Sequence, residues 1–274
     1  SIENRTALAD AELEYHDRED PSIYVAFPLE GGGANELGGS GDAPVSLLIW
    51  TTTPWTLPAN LAVAVHPAFE YCCLQVETQD GGGTWVVAEK LREDLLASVR
   101  AHRPEWLKSA EAAGTLTGQE LLDKGLRYEH PVFDDKTCPV VPADYVVLDE
   151  GTGLVHTAPG HGMEDYGTGL KHGLEIYCPV QADGTFDDTV PQWLQGVRVW
   201  DANARVIQRL HDAGRLVLEE PITHSYPHDW RSKTPTIFRA TEQWFVAVDR
   251  PLGRGEGESL RKLAMEACRR EADE

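Results

Sequence analysis

Two stretches of the sequence place hydroxyl, imidazole and carboxylate groups in patterns that could support chemistry. The first, "WTTTPWTLPAN", sets Thr51, Thr52 and Thr53 directly after the apolar run "VSLLIW". A threonine at the end of a strand has few rotamers, and its hydroxyl both donates and accepts. Because Pro54 favours an extended residue before it, we expect Thr53 to be extended and the three hydroxyls to form a rigid row. Threonines at an ordinary solvated strand end would give the same pattern.

The second stretch, "GTGLVHTAPGHGMEDYG" at residues 151–167, adds an imidazole and a carboxylate. Two glycines bracket a tight turn, His156 ends a short strand, and Asp165 falls in the first turn of a helix. The helix dipole favours an acid there, so we expect Asp165 to stay ionised. Taken singly, His156 is most simply a core histidine and Asp165 an acid at a helix start. Their combination with a Gly-Pro loop indicates a site.

Other catalytic and metal-binding templates are absent from the sequence. It contains no GxSxG, GxxxxGK[ST] or HExxH motif, and no GxGxxG follows a strand. His224 and His228 are four residues apart, but Pro227 breaks any helix that would aim both at one metal. The five cysteines include no CxxC pair. We therefore expect neither a disulfide framework nor a metal site.

The hydrophobic pattern predicts an α+β, mostly β fold: a barrel-like antiparallel or mixed sheet with a few covering helices. Helices are expected at 90–102, 117–125, 163–173 and 203–214, and a Gly-rich connection at 31–44. Many strand-like runs follow one another too closely for a parallel crossover. These runs are "SIYVAF", "VSLLIW", "LAVAV", "YCCLQVET", "TWVVAE", "DYVVLDE", "GTGLVHTAP" and "RLVLEE".

The end of the sequence and its composition restrict the kind of protein. A last helix would expose an apolar face formed by Leu260, Leu263, Ala264 and Ala267, so we expect a fragment of a longer chain. No apolar run approaches the ~20 residues of a membrane span, no signal peptide is visible, and we predict a cytoplasmic protein. The net charge of −21 argues against a surface that coats nucleic acid. An RNA end could still enter a local pocket.

The two stretches together resemble the editing domain of isoleucyl-tRNA synthetases, an insertion in the class I catalytic fold. Similar segments occur in the same order along nearly the whole chain: "ALADAELEY", "LRYEHPVF", "PVQADGTF" and "HSYPHDWRSKTPTIFRATEQWFV". The related valyl and leucyl editing domains carry arginine where Thr53 stands, which favours the isoleucyl family. Some family members have cysteines after "HSYPH"; this chain reads "DWRSK" there, so we expect no zinc.

The resemblance implies a proofreading function in protein biosynthesis. A single pocket separates isoleucine from valine incompletely, a limitation for which this pair is the standard illustration. The editing domain hydrolyses the ester of mischarged valyl-tRNA(Ile) and excludes isoleucine. The synthetic HIGH and KMSKS signatures are absent, so ATP and Mg would serve only the missing synthetic domain. The implied partners are the valine-carrying 3′ end of tRNA(Ile) and the rest of the synthetase chain, with no membrane.

The resemblance also implies roles for individual residues. Asp165 holds the α-ammonium group, and the three threonines line the ester and orient a water or the oxyanion. His156 and Trp55 wall the side-chain pocket, and Tyr226 approaches the terminal adenosine. Further substrate-binding residues are Trp50, Thr56 and Asn60. The implied domains are a connection at 1–20, the editing domain at 21–222 and a return connection at 223–274.

Three alternatives stay open at this point. The editing domain could act on another mischarged branched-chain tRNA, of valyl or leucyl type. The chain could be a free-standing Ser-His-Asp hydrolase, although the missing nucleophile elbow disfavours this. It could also be a non-catalytic RNA-docking module, which the negative charge and the Thr/His/Asp set disfavour.

Overall fold

A computed structural model describes residues 1–31, 37, 43–253 and 257–272. The chain forms two compact units, Ser1–Ala240 and Thr241–Glu274. Most of the predicted Gly-rich connection lies outside the described residues. In the described ranges, no helix is long and apolar enough to cross a membrane.

A six-stranded mixed sheet dominates the first unit, in the order β10-β1-β2-β5-β4-β6. Neighbouring strands are antiparallel except β2 and β5, which are parallel. The strands are β1 (Leu13–Pro28), β2 (Val45–Thr51), β4 (Glu70–Thr78), β5 (Gly82–Ala88), β6 (Leu107–Thr117) and β10 (Leu216–Asp229). The long pairing of β1 with β10 runs from Leu13 opposite Asp229 to Val25 opposite Leu216.

A second sheet has four short strands in the order β7-β8-β3-β9. Its central strand β3 pairs in parallel with β8 and antiparallel with β9, which puts Val63 opposite His156. The strands are β3 (Ala62–Val65), β7 (Arg127–Glu129), β8 (Thr137–Pro142) and β9 (Leu154–Thr157). The first predicted stretch begins where β2 ends, at Thr51, and the second contains β9, which ends at Thr157.

Five α-helices are present among the described residues, four in the first unit and one in the second. A capping box starts the second of them as predicted, since Thr117 accepts from the Glu120 N–H while the Glu120 carboxylate accepts from the Thr117 N–H. The helices are α1 (Arg92–His102), α2 (Gly118–Asp123), α3 (Met163–His172), α4 (Val199–Asp212) and α5 (Leu260–Ala272).

The buried run of β2 explains how the large sheet is covered. Leu47 and Ile49 belong to one core cluster with Val206 of α4, whereas Leu48 belongs to another with Leu95 of α1. A strand covered on both faces needs apolar side chains at every position, which is why this run does not alternate. The prediction of a mostly β fold with few helices is confirmed.

Two local predictions were wrong. "DYVVLDE" forms turns and irregular backbone, not a strand. Thr53 is not extended: its φ is −128° and its ψ 67°, and a 3-10 helix, Pro54–Ala59, follows at once. Proline is tolerated at the first helical position because it needs no partner for an N–H there. The Thr53 carbonyl accepts hydrogen bonds from the N–H and hydroxyl of Thr56, which closes this turn.

The predicted domain boundaries concern a longer protein and stay predictions. Within this chain, β1 runs across residue 20 and β10 runs across residue 222. The compact unit accordingly includes both flanks of the predicted editing domain and ends at Ala240.

Candidate functional site

The two predicted stretches meet at one cavity of about 310 Å³ in the first unit. The end of β2 and the following turn form one wall, and β9 with the start of α3 forms the other. Trp50, Thr51, Thr52, Thr53, Thr56, His156 and Asp165, all predicted site residues, line it. The remaining lining residues are Tyr145, Val147, Glu150, Gly151, Thr152, Gly153, Leu154, Val155, Ala158 and His161.

The threonines form the hydroxyl row that the sequence indicates, but their hydroxyls are differently placed. Thr51 and Thr56 are buried, whereas Thr52 and Thr53 are partly exposed. The Thr53 Oγ1 lies 3.3 Å from that of Thr51 and 3.4 Å from that of Thr56. The Thr53 N–H also donates to the Thr51 Oγ1 at 3.1 Å. The outer two threonines therefore present polar groups to the cavity while the inner two hold the turn.

His156 is held by both ring nitrogens. Its Nδ1 lies 2.8 Å from the Asn60 Nδ2, and its Nε2 lies 3.0 Å from the Thr56 Oγ1. The Asn60 amide has a fixed orientation, because its Nδ2 donates to the Ala62 carbonyl and its Oδ1 accepts from the Tyr128 hydroxyl at 2.6 Å. The His156 Nδ1 must then accept, so Nε2 carries the proton.

The charge state of His156 follows from its burial. Burial, with a smaller contribution from the neighbouring His161, lowers the pKa of His156 to about 3. The ring is therefore neutral at physiological pH. With both nitrogens bonded and no charge, it forms a rigid, uncharged wall of the cavity.

Asp165 lies in the first turn of α3, as predicted. Its Oδ2 accepts from the Ala158 N–H at 2.9 Å, and its Oδ1 lies 3.5 Å from the Tyr145 hydroxyl. Burial raises the pKa of Asp165 to about 6; the Ala158 N–H opposes this rise and Glu164 adds to it. The carboxylate is ionised at pH 7, but by a narrower margin than a helix-start acid in water.

Two glycines give these walls their shape. Gly153 has a φ of +74°, and a Cβ there would lie 2.4 Å from the Ala88 Cβ, so no other residue fits this turn beside β5. A Cβ at Gly162 would lie 3.1 Å from the Asp165 Oδ2. This second glycine leaves the carboxylate room to lie against the Ala158 N–H.

Three predicted substrate-binding residues do not line the cavity. Asn60 lies one layer behind it, bonded to His156. Trp55 is buried, with its ring edge toward His161 at 5.2 Å between centroids. Tyr226 donates to the Thr236 carbonyl at 3.1 Å, and the Arg18 guanidinium lies 5.0 Å from its ring centroid. The structure therefore places Asn60 and Trp55 behind the cavity wall, and Tyr226 farther from it, in ring contact with Trp200, which in turn contacts Trp55.

Sequence reasoning missed Tyr145, Glu150 and His161 as lining residues. Tyr145 and Glu150 lie in the run that we predicted to be a strand, where alternation would have turned them to different faces. His161 was part of the noted Gly-Pro loop, and its Nδ1 donates to the Phe238 carbonyl at 2.9 Å. Only its place between two glycines in "PGHG" could have singled it out.

The cavity can bind a cation beside a row of hydroxyls. An ionised carboxylate, the partly exposed Thr52 and Thr53 and a neutral imidazole line the same cavity. None of the lining residues is a serine or a cysteine. Across the described part of the chain, no group of three or more His, Cys, Asp or Glu side chains could hold a metal ion.

Relatives of the chain are found among curated proteins. It is 47% identical over 266 residues to the isoleucine–tRNA ligase of Nitratidesulfovibrio vulgaris strain DP4, a match that covers 97% of the chain and 26% of that protein. It is 44% identical over 278 residues to that of Aquifex aeolicus, with 97% and 27% covered. No protein-family model matches the chain.

A solved structure has a similar fold. The crystal structure of GlLeuRS-CP1 superposes with a TM-score of 0.52 at 16% sequence identity, and the match covers 72% of this chain and 99% of that one. At this identity the similarity concerns the fold alone.

These findings agree with the resemblance of the threonine and His/Asp stretches. The chain spans about a quarter of the length of the curated relatives. The match extends over 97% of its residues. In fold, the chain resembles the leucyl-tRNA synthetase domain GlLeuRS-CP1, and in sequence it corresponds to one segment of the isoleucine–tRNA ligases. The chain therefore belongs to the isoleucine–tRNA ligase family.

Proposed function

We propose that this segment is a post-transfer editing domain that hydrolyses the ester of valyl-tRNA(Ile) and spares isoleucyl-tRNA(Ile). The observation that carries the proposal is the shared cavity of Asp165 and the threonine row. An aminoacyl ester has a cationic amine one carbon from its reacting carbonyl. A site for it needs an anion and hydrogen-bonding groups a short distance apart, and this cavity supplies both.

Recognition of the substrate begins with its α-ammonium group. The Asp165 Oδ1 has only a long contact with Tyr145, so it can accept a hydrogen bond from the ammonium. A bound cation also favours the ionised form of Asp165, whose pKa is raised by burial. The charge that burial makes unfavourable is thus compensated when the substrate binds.

The threonines serve the hydrolytic step. An ester activated by a nearby ammonium needs an oriented water and stabilisation of the developing oxyanion more than a strong nucleophile. The partly exposed Thr52 and Thr53 supply hydroxyls that can do either. Thr51 and Thr56 restrict the motion of the Thr53 hydroxyl from behind. The water oxygen adds to the ester carbonyl carbon, and the bond from that carbon to the ribose oxygen then breaks. The water proton passes, directly or through solvent, to the leaving ribose oxygen, and no covalent intermediate with the protein forms.

Selectivity between valine and isoleucine must be steric. Both side chains are apolar, so attraction alone would favour the larger one. The neutral, doubly bonded ring of His156 is suited to exclude one additional methyl group, because it cannot rotate without breaking two hydrogen bonds. A cavity of about 310 Å³ is small for a ligand site.

The proposal includes the partners of the site. The 3′ end of tRNA(Ile) carries the substrate, and the remaining synthetase chain holds the rest of the tRNA, in the cytoplasm. With a net charge of −21, this segment binds tRNA weakly and with strong salt dependence by itself. Editing uses no cofactor; ATP and Mg belong to the synthetic domain. The segment alone forms neither aminoacyl-adenylate nor aminoacyl-tRNA.

The test is deacylation of tRNA(Ile) charged with valine or with isoleucine, measured with this chain and with Asp165→Ala. We expect the chain to release valine faster than isoleucine and the variant to lose most of this activity. Preferential release of isoleucine, or of amino acids from tRNA(Val) or tRNA(Leu), would assign the site to another branched-chain editing domain. Binding of charged tRNA with no hydrolysis would assign an RNA-docking module.

A further inference from the structure

Tyr145 is the residue that faces the free oxygen of Asp165. It lies between β8 and β9 and lines the same cavity. The carboxylate has one firm contact, from the Ala158 N–H to Oδ2 at 2.9 Å. Its Oδ1 lies 3.5 Å from the Tyr145 hydroxyl, at the outer limit of a hydrogen bond. Hydrogen bonds in sites without substrate are often long and shorten when the substrate binds.

Thr168 of the same helix and Thr157 of β9 surround the Tyr145 hydroxyl. Asp165 and Thr168 are three residues apart on α3 and so share one face. The Thr168 hydroxyl donates to the Tyr145 oxygen at 3.5 Å, which leaves the phenol proton for the Asp165 Oδ1. Burial raises the pKa of Tyr145, so the phenol keeps this proton at neutral pH.

We propose that Tyr145 is a positioning residue that aims the Oδ1 of Asp165 at the α-ammonium group of the substrate. The inference rests on the editing function proposed above. With only the Ala158 contact, the carboxylate could turn about its Cβ–Cγ bond and present its oxygen elsewhere. The second contact, from Tyr145, fixes the carboxylate plane. Because Asp165 binds the α-ammonium group, Tyr145 should affect only substrates that carry a free amine.

The surroundings of Asp165 make this contact measurable. Burial and, to a smaller extent, Glu164 on its own helix raise the pKa of Asp165, and the Ala158 N–H and Tyr145 lower it. Glu150, His156 and His161 line the same cavity, and burial keeps both histidines neutral. Tyr145 is therefore the one side-chain donor to the carboxylate among the described lining residues.

The first experiment needs no substrate. Asp165 is titrated by carbon NMR of its carboxyl group in the parent chain, in Tyr145→Phe and in Tyr166→Phe. Tyr166 is a matched control because it lies on the same helix and is 45% exposed. We expect a higher Asp165 pKa in Tyr145→Phe and the parent value in Tyr166→Phe. An unchanged pKa in Tyr145→Phe would overturn the proposal.

The second experiment separates positioning from folding. Deacylation is compared for valyl-tRNA(Ile) and for the same tRNA after conversion of the α-amine to a hydroxyl. Tyr145→Phe should lower the first rate by roughly fivefold and leave the second unchanged. Equal loss with both substrates would mark Tyr145 as structural and refute the proposal. If the parent hydrolyses neither substrate, the editing function fails and the NMR titration alone decides the contact.

Discussion

Asp229, at the end of β10, and Asp165, in the first turn of α3, are carboxylates withdrawn from solvent in different ways. Asp229 is fully buried and accepts from the Asn4 Nδ2 at 2.6 Å and from the Arg231 N–H at 2.8 Å. Burial by itself would raise the pKa of Asp229, but these hydrogen bonds hold it well below its usual range. For Asp165, with one firm hydrogen bond, burial prevails and the pKa rises to about 6.

The difference separates a structural carboxylate from one available to a ligand. The hydrogen bonds of Asp229 are supplied by the protein, so its charge stabilises the fold. Asp165 has an oxygen without a close donor, so its charge costs free energy until a cation arrives. Strongly shifted pKa values are often found at functional sites.

The largest effect should come from removing Asp229, the carboxylate whose hydrogen bonds are satisfied by the protein. Asp229→Ala removes the buried acceptor that the Asn4 Nδ2 and the Arg231 N–H share, and we expect it to lower the free energy of unfolding by about 3 kcal/mol. Urea unfolding of the parent and the variant measures this. Deacylation per folded molecule should stay at the parent value. If the variant were as stable as the parent, Asp229 would have no structural role.

Removing Asp165, whose Oδ1 lacks a close hydrogen-bond donor, should affect activity instead. Asp165→Ala loses the partner of the α-ammonium group, a charge-assisted hydrogen bond that predicts a roughly tenfold or greater loss of valyl-tRNA(Ile) deacylation. Its unfolding free energy should not fall. A folded variant with normal deacylation would show that Asp165 is only a helix-start acid.

His156 does not fit this division between structural and ligand-binding groups. Both of its ring nitrogens are hydrogen-bonded by the protein, as the carboxylate of Asp229 is, and yet it lines the cavity. If it is the steric wall, His156→Ala opens room for the additional methyl group. Hydrolysis of isoleucyl-tRNA(Ile) should then rise severalfold relative to that of valyl-tRNA(Ile). An unchanged ratio at lower overall activity would assign His156 to the fold alone.

The pH dependence of stability should have opposite signs for the two aspartates. Because folding raises the pKa of Asp165 to about 6, its favourable contribution is present below its usual value of 3.8 and lost as the pH rises through 6. Asp165→Asn should therefore be more stable than the parent at pH 7, by on the order of 1 kcal/mol, with no difference near pH 4.

Asp229 provides the matched control for this pH experiment. Its lowered pKa gives stability above the usual value of 3.8 that is lost as the pH falls further. Asp229→Asn should be less stable than the parent at pH 7, and the deficit should shrink only in strong acid. Thermal melts of the parent and both variants between strong acid and pH 7 test this. If the stability difference from the parent changed with pH in the same direction for both variants, the prediction would be contradicted.

No effect is expected from removing metal ions. In the described residues, neither aspartate belongs to a cluster that could hold a metal. Prolonged chelation should leave both deacylation and unfolding unchanged. A loss of activity that added zinc restores would show that the mechanism proposed for the threonine row is incomplete.

Much of the site could be predicted from the sequence because its parts are local. The threonine row follows a buried strand, and Asp165 lies in the first turn of α3, so both could be placed from neighbouring residues. The fold class could be predicted for the same reason, since periodicity reports which strand faces are covered.

The remaining features depend on contacts between distant residues. Tyr145 follows β8 and Asp165 follows β9, and the two meet after both strands pair with β3, which no local pattern specifies. Trp55 and Asn60 lie near the threonines in the sequence, but the turn at Pro54 directs them behind the cavity wall. Thr53 departs from the extended conformation because the Thr56 N–H and hydroxyl draw its carbonyl into a turn.

The long antiparallel pairing of β1 with β10 has a consequence for how such a unit can be carried by other proteins. It puts the strand that enters the large sheet beside the strand that leaves it, with Leu13 opposite Asp229. Paired positions of this kind are only about 5 Å apart. A host backbone therefore needs to be interrupted at a single narrow point, with little loss of loop-closure entropy. The unit is therefore suited to insertion into a surface loop of an unrelated host protein, through two adjacent junctions and without a long linker.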